Sequence, residues 1–188
     1  MTRRIPIFAT IVVIAAVLTM IGLGIWQLQR KAEKEALIAR YTAAAGNDAP
    51  VTFPLAGKGE EALFRRSEVA CRKVAGIAAV SGTSATGQKG WVQRAACAVS
   101  EGVLVRVDIG YSRDLAKPDW QGGTVTGVIA PGPRLIADPP LAGLQAMAKP
   151  DPGDLPNNHL AYAVQWFFFA LTALVIYVLA LRRRRGAT

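Results

Sequence analysis

The sequence predicts a membrane protein in which two transmembrane helices flank a β-rich (α+β) extracytoplasmic domain. Three observations predict it. Two runs, Ile5–Ile25 and Leu160–Leu181, contain no charged residue, and each is long enough as a helix to cross the ~30 Å hydrocarbon core of a bilayer. Overall 52% of the residues are hydrophobic and the mean hydropathy is +0.27, high for a soluble chain. The stretch between the runs changes texture to β-branched segments bounded by glycine turns, and is long enough for one small domain.

Charge separates the same regions. The chain holds 22 Lys+Arg against 13 Asp+Glu, a net +9. Arg3, Arg4 and Arg182–Arg185 supply six of the cations at the two ends, whereas every acidic residue lies between Glu33 and Asp154. The excess charge therefore flanks apolar runs instead of marking one face of a domain, which argues against a nucleic-acid binder. Two cysteines cannot staple a scaffold, and one histidine cannot build a multi-histidine metal site.

In chain order, residues 5–26 form the first span. A signal peptide would have a shorter apolar region followed by a small-x-small cleavage site. Here the run ends in Trp26-Gln27-Leu28-Gln29-Arg30-Lys31, an interfacial aromatic and then charges, as in an uncleaved anchor. Residues 27–45 lack Gly and Pro and are expected to carry the helix outward until Gly46-Asn47-Asp48 stops it. Residues 46–130 hold the β-rich domain, an antiparallel sheet or partial barrel, with strands expected in Ser67–Val80, Gly90–Val99, Val103–Gly110 and Thr124–Ile129. Leu104–Ile109 alternates apolar and polar, and Ser81–Gly90 reads as a loop. Residues 131–158 contain seven of the 11 prolines and read as a semi-rigid extended connector back to the membrane.

Residues 159–181 form the second span and 182–188 a basic tail. Four arginines directly after an apolar helix are a cytoplasmic retention signal, and Arg3 and Arg4 agree with it. Both termini are then cytoplasmic, and the domain is periplasmic on a cell inner membrane. Arg30, Lys31 and Lys34 oppose this weakly.

Cys71 and Cys97 fall in separate expected strands. A structural disulfide is the leading reading in an oxidising compartment; free thiols or a redox role are the alternatives. His159, the only histidine, follows Asn157-Asn158 and opens the second span. A neutral imidazole there can bind a metal, and Tyr162, Ala163 and Trp166 share its helix face above Ala170, Ala173 and Tyr177. Such an aromatic face suits a flat macrocycle such as haem; an interfacial capping role is the alternative. Arg30 could meet an anionic group such as a propionate or snorkel to headgroups. No GxSxG, HExxH, Walker or GxGxxG motif is present, so nothing marks an enzyme.

The run Leu155-Pro-Asn-Asn-His-Leu-Ala-Tyr-Ala-Val-Gln-Trp-Phe-Phe-Phe-Ala170 resembles the C-terminal signature (NNHxxYAxQWFxFA) of the Surfeit-locus (Shy-type) family of cytochrome c oxidase assembly proteins. Gly24-Ile-Trp-Gln-Leu-Gln-Arg30 resembles the family's GxWQLxR helix ending, and Phe64-Arg65-Arg66 the start of its external domain. Leu104–Tyr111 is a loose counterpart of the family's LVNRGW-like stretch. The resemblance implies a non-enzymatic assembly factor that binds haem a transiently and assists its insertion into oxidase subunit I. His159 would be the iron ligand, Tyr162 and Trp166 would pack the ring, and Trp26 and Arg30 would complete the site. Haem A synthase and membrane lipid are further partners, nucleic acid is not. A haem-free scaffold for an oxidase assembly intermediate, or a membrane-anchored enzyme or sensor, are the alternatives.

Overall fold

A computed structural model describes residues 6–57 and 59–186; the sequence-predicted roles of Ile5, Arg3 and Arg4 lie outside the described residues. The chain divides into two compact units. One joins Met1–Leu37 to Pro156–Thr188, and the other is Ile38–Leu155.

The first unit is a helix pair. Helix α1, Ile7–Ala45, has 39 residues. Pro6 sits immediately before it, where a missing N–H costs nothing, and its carbonyl accepts from Thr10 at 2.9 Å. At ~1.5 Å per residue α1 rises about 58 Å, nearly twice the hydrocarbon core. The apolar half can thus span a membrane while the half beginning at Arg30 extends into water. Helix α2 runs from His159 to Gly186, opening at the expected residue and carrying the basic tail on the same helix. Both helices are long and apolar enough to cross a membrane.

The pair is antiparallel. Thr10 and Tyr177 share a hydroxyl–hydroxyl hydrogen bond at one end, and Gln27 meets His159 at the other. Shielding recurs at Thr10, Val13, Val17, Met20, Gly24, Gln27 and Lys31 on α1, and at His159, Ala163, Trp166, Ala170, Ala173, Tyr177 and Leu181 on α2. Those steps of three and four give the seam of two helices crossing at a shallow angle. Small residues let the backbones approach, as expected where lipid supplies no hydrophobic drive. Ala163 and Ala170 are buried, and a Cβ on Gly24 would lie 2.5 Å from the Phe167 ring.

The second unit is a seven-stranded mixed sheet in the order β1-β2-β6-β7-β5-β4-β3. The strands are β1 Val51–Thr52, β2 Arg66–Cys71, β3 Lys73–Thr83, β4 Lys89–Ser100, β5 Val103–Ser112, β6 Gly123–Ala130 and β7 Arg134–Ala137. Pairing is antiparallel except for β1–β2 and β5–β7. The expected strand Ser67–Val80 is two strands, broken at Arg72. They lie on opposite sides of the sheet order, so the sheet curls back on itself. Arg72 N–H donates to Ala98 O at 3.0 Å, and a disulfide joins Cys71 on β2 to Cys97 on β4 with Cα atoms 5.0 Å apart. Val105, Val107, Ile109, Val125, Ile129 and Leu135 fill the enclosed side. At the end of α1, Tyr41 is buried and its ring centroid lies 5.1 Å from that of Phe64.

The proline-rich segment departs from the expected connector. Its residues 134–137 form β7, which sits in the middle of the sheet between β6 and β5. Pro131 and Pro133 fall in the β6–β7 turn, and Pro139 and Pro140 follow the strand. The four residues of β7 keep their N–H groups and can pair on both sides. Beyond β7 the chain stays docked: Gln145 and Tyr111 exchange backbone bonds of 2.8 and 3.0 Å. Met147 joins Val92, Tyr111, Ala130 and Ile136 in a second small apolar cluster. The β-rich unit therefore extends well past residue 130.

Asp108 ties the sheet's centre together. Its carboxylate is buried and accepts from Arg94 of β4 at 2.6 and 3.0 Å and from Arg134 of β7 at 3.0 Å. Arg134 also donates to Pro131 O, and Arg106 to Gly132 O at 2.5 Å, so the cations clamp the β6–β7 turn as well.

Candidate functional site

The helix pair brings two polar side chains together at one end of its seam. His159 is the first residue of α2, where Asn158 O accepts from Tyr162 N at 3.3 Å. Gln27 lies one turn beyond Gly24 on α1. The Gln27 Oε1 atom is 2.8 Å from His159 Nδ1. An amide oxygen only accepts, so Nδ1 is the donor of this bond, and in the neutral imidazole that tautomer leaves the lone pair on Nε2. A carbonyl-type acceptor on one ring nitrogen is the usual way a histidine is oriented to ligate a metal through the other.

The remaining sequence-predicted residues divide. Trp166 is on the seam, half-buried, with its ring edge-on to Phe169 at 6.2 Å. Tyr162 is 52% exposed and Trp26 is 49% exposed; both point away from the seam. Arg30 also points outward, and its guanidinium pairs with Glu33 at 2.6 Å. Such an exposed pair is worth little and leaves the cation able to exchange partners. Gln27 is the residue that sequence reasoning noted only as part of the span's ending. Its signal was positional: it stands three residues after Gly24 on the shielded face.

The closeness of Gly24 to Phe167 bars a macrocycle from lying between the helices there. An apolar ring would have to approach from the open side, where Tyr162 is one turn from His159 and Trp26 adjoins Gln27. The donor set fits that arrangement: one oriented imidazole, flanking exposed aromatics and a nearby exchangeable cation. Among the described residues no group of three or more His, Cys, Asp or Glu could hold a bare metal ion.

The family model for the SURF1 family matches residues 14–171, a range that takes in most of α1, the whole sheet and the first part of α2. The chain belongs to the SURF1 family. No curated protein matches it. Gly24, Gln27, His159 and Trp166 all fall inside the matched range. Membership of the SURF1 family gives the chain a role in cytochrome c oxidase assembly, in association with the oxidase assembly machinery. It is an assembly-factor family, not one known for catalysis. The two apolar helices make this member a membrane-anchored one.

Proposed function

We propose that this SURF1-family protein binds haem a at the His159 end of its helix pair and assists its insertion into oxidase subunit I. The hydrogen bond between Gln27 and His159 is the observation that supports it most. It favours the neutral tautomer whose Nε2 would be the one iron ligand supplied by this chain. Haem a when bound would supply an iron centre for that nitrogen and a large apolar surface. Tyr162, Trp26 and Trp166 offer aromatic surface to the ring, and Arg30 can leave Glu33 for a propionate. Burial of apolar area would carry most of the affinity, and one ligand from this chain keeps release feasible. The arginines after α2 favour cytoplasmic termini and a β-rich unit on the periplasmic side of an inner membrane. On that side Cys71 and Cys97 can stay oxidised. Subunit I is then the recipient, haem A synthase the natural supplier, and the protein acts without catalysing a reaction.

The test is the visible spectrum of the full chain purified in detergent from cells that make haem a. A haem a band in the wild type that is lost in His159→Ala supports the proposal. The tight seam at Gly24 and Phe167 favours a second reading, a haem-free scaffold for an assembly intermediate. A wild-type protein without haem, from cells rich in haem a, selects that reading.

A further inference from the structure

At the end of the helix pair opposite His159 the seam opens into a groove of about 270 Å³. Thr10, Val13 and Val17 of α1 and Leu174, Tyr177 and Leu181 of α2 line it. Its two hydroxyls are already committed. Thr10 Oγ1 donates to Pro6 O at 2.9 Å, so in the Thr10–Tyr177 bond the tyrosine is the donor. The wall thus offers hydrocarbon and no free O–H. The volume falls below the ~300–1,000 Å³ of pockets that enclose drug-sized molecules, and suits a chain better than a ring system.

Charge identifies the kind of chain. Arg182 and Arg183 directly follow Leu181 on the same helix and are exposed. No Asp or Glu occurs before Glu33 or after Asp154, so no acidic side chain of the helix pair is near that end in sequence. Guanidinium groups bind phosphate oxygens in a bidentate fork, and anionic leaflets attract such clusters.

We propose that this groove is a binding site for an anionic phospholipid, its acyl chain between α1 and α2 and its phosphate on Arg182 and Arg183. The site is independent of any haem at the other end. Native mass spectrometry of the full chain released from nanodiscs of equal phosphatidylglycerol and phosphatidylcholine tests it. The expected result is one retained phosphatidylglycerol per chain, at least tenfold over phosphatidylcholine. The Arg182→Gln/Arg183→Gln double variant, which leaves the helix pair untouched, should bring that ratio close to one. Val17→Trp, which fills the groove, should abolish retention, with helicity by circular dichroism showing that the pair still forms. Equal retention of both lipids by the wild type overturns the proposal, as does unchanged phosphatidylglycerol retention in either variant. A dimer that Val17→Trp disrupts would assign the groove to a second copy of the chain and overturn it too.

Discussion

Asp108 shows how one side chain decides the character of its surroundings. A buried carboxylate between two guanidinium groups is stable only while all three charges are present. Removing the acid leaves Arg94 and Arg134 facing each other with no counter-ion. Asp108→Ala should therefore cost about 3–5 kcal/mol, read as a lowered melting temperature of the detergent-solubilised chain. The hydrogen bond from Arg94 to Asp108 raises the pKa of the guanidinium, and their charge attraction adds to it, against the burial that lowers it. A raised folded-state value stabilises at every pH below the unfolded one and fades only above it. For arginine that limit is strongly alkaline, so Arg94 contributes no pH dependence near neutrality. In the helix pair, Gln27→Ala removes the acceptor that orients His159. It should weaken haem a binding about 10–100-fold in a titration of the purified chain, with less effect on the helix pair, which keeps its Gly24–Phe167 and Thr10–Tyr177 contacts. Such pairings were not legible in the sequence. The alternation of Leu104–Ile109 was, and Val105, Val107 and Ile109 are indeed the buried set. Asp108 lies on the polar face and is buried as well, because residues 14 and 26 positions away in sequence close over it.

At the level of elements, the hairpin β6–β7 is the most informative. A run punctuated by proline reads as a connector, since nothing local marks four residues as the centre of a sheet. The choice is tertiary: β5 and β6 present unpaired edges, and β7 satisfies both. The hairpin depends on close backbone approach at Gly127, where a Cβ would meet Ile136 O at 1.9 Å. Backbone cannot swing aside as a side chain can. Gly127→Ala should fall at or above the upper end of the ~1–3 kcal/mol cost of overpacking, measured by the same thermal unfolding. Closure of the sheet rests on the bond between Cys71 and Cys97, separated by 26 residues. The loop-entropy relation gives about 3.5 kcal/mol for a loop of that length. Cys71→Ser/Cys97→Ser should lose about that much, and reductant should destabilise the wild type but not the double variant.

For the molecule as a whole, the order of span, domain and span was legible because each part has its own pattern: unbroken apolar runs, β-branched alternation between them, and most of the excess positive charge at the two ends. The single histidine and its motif marked one half of the candidate site. On α1 the other motif marked Trp26 and Arg30 but not the contact that Gln27 makes, since 132 residues separate Gln27 from His159 and only the antiparallel seam brings them together. The same seam leaves Tyr162 and Trp26 exposed, so the His159 end of the pair offers an open surface and not a closed cavity between the helices. The most direct test is the haem a content of cytochrome c oxidase in membranes of cells whose only copy of this protein is His159→Ala, with the level of the variant protein checked by immunoblot. Oxidase depleted of haem a, at wild-type levels of the variant, is the predicted result. Fully haem-loaded oxidase in those membranes, where loss of the whole protein depletes it, would contradict a cargo role for His159.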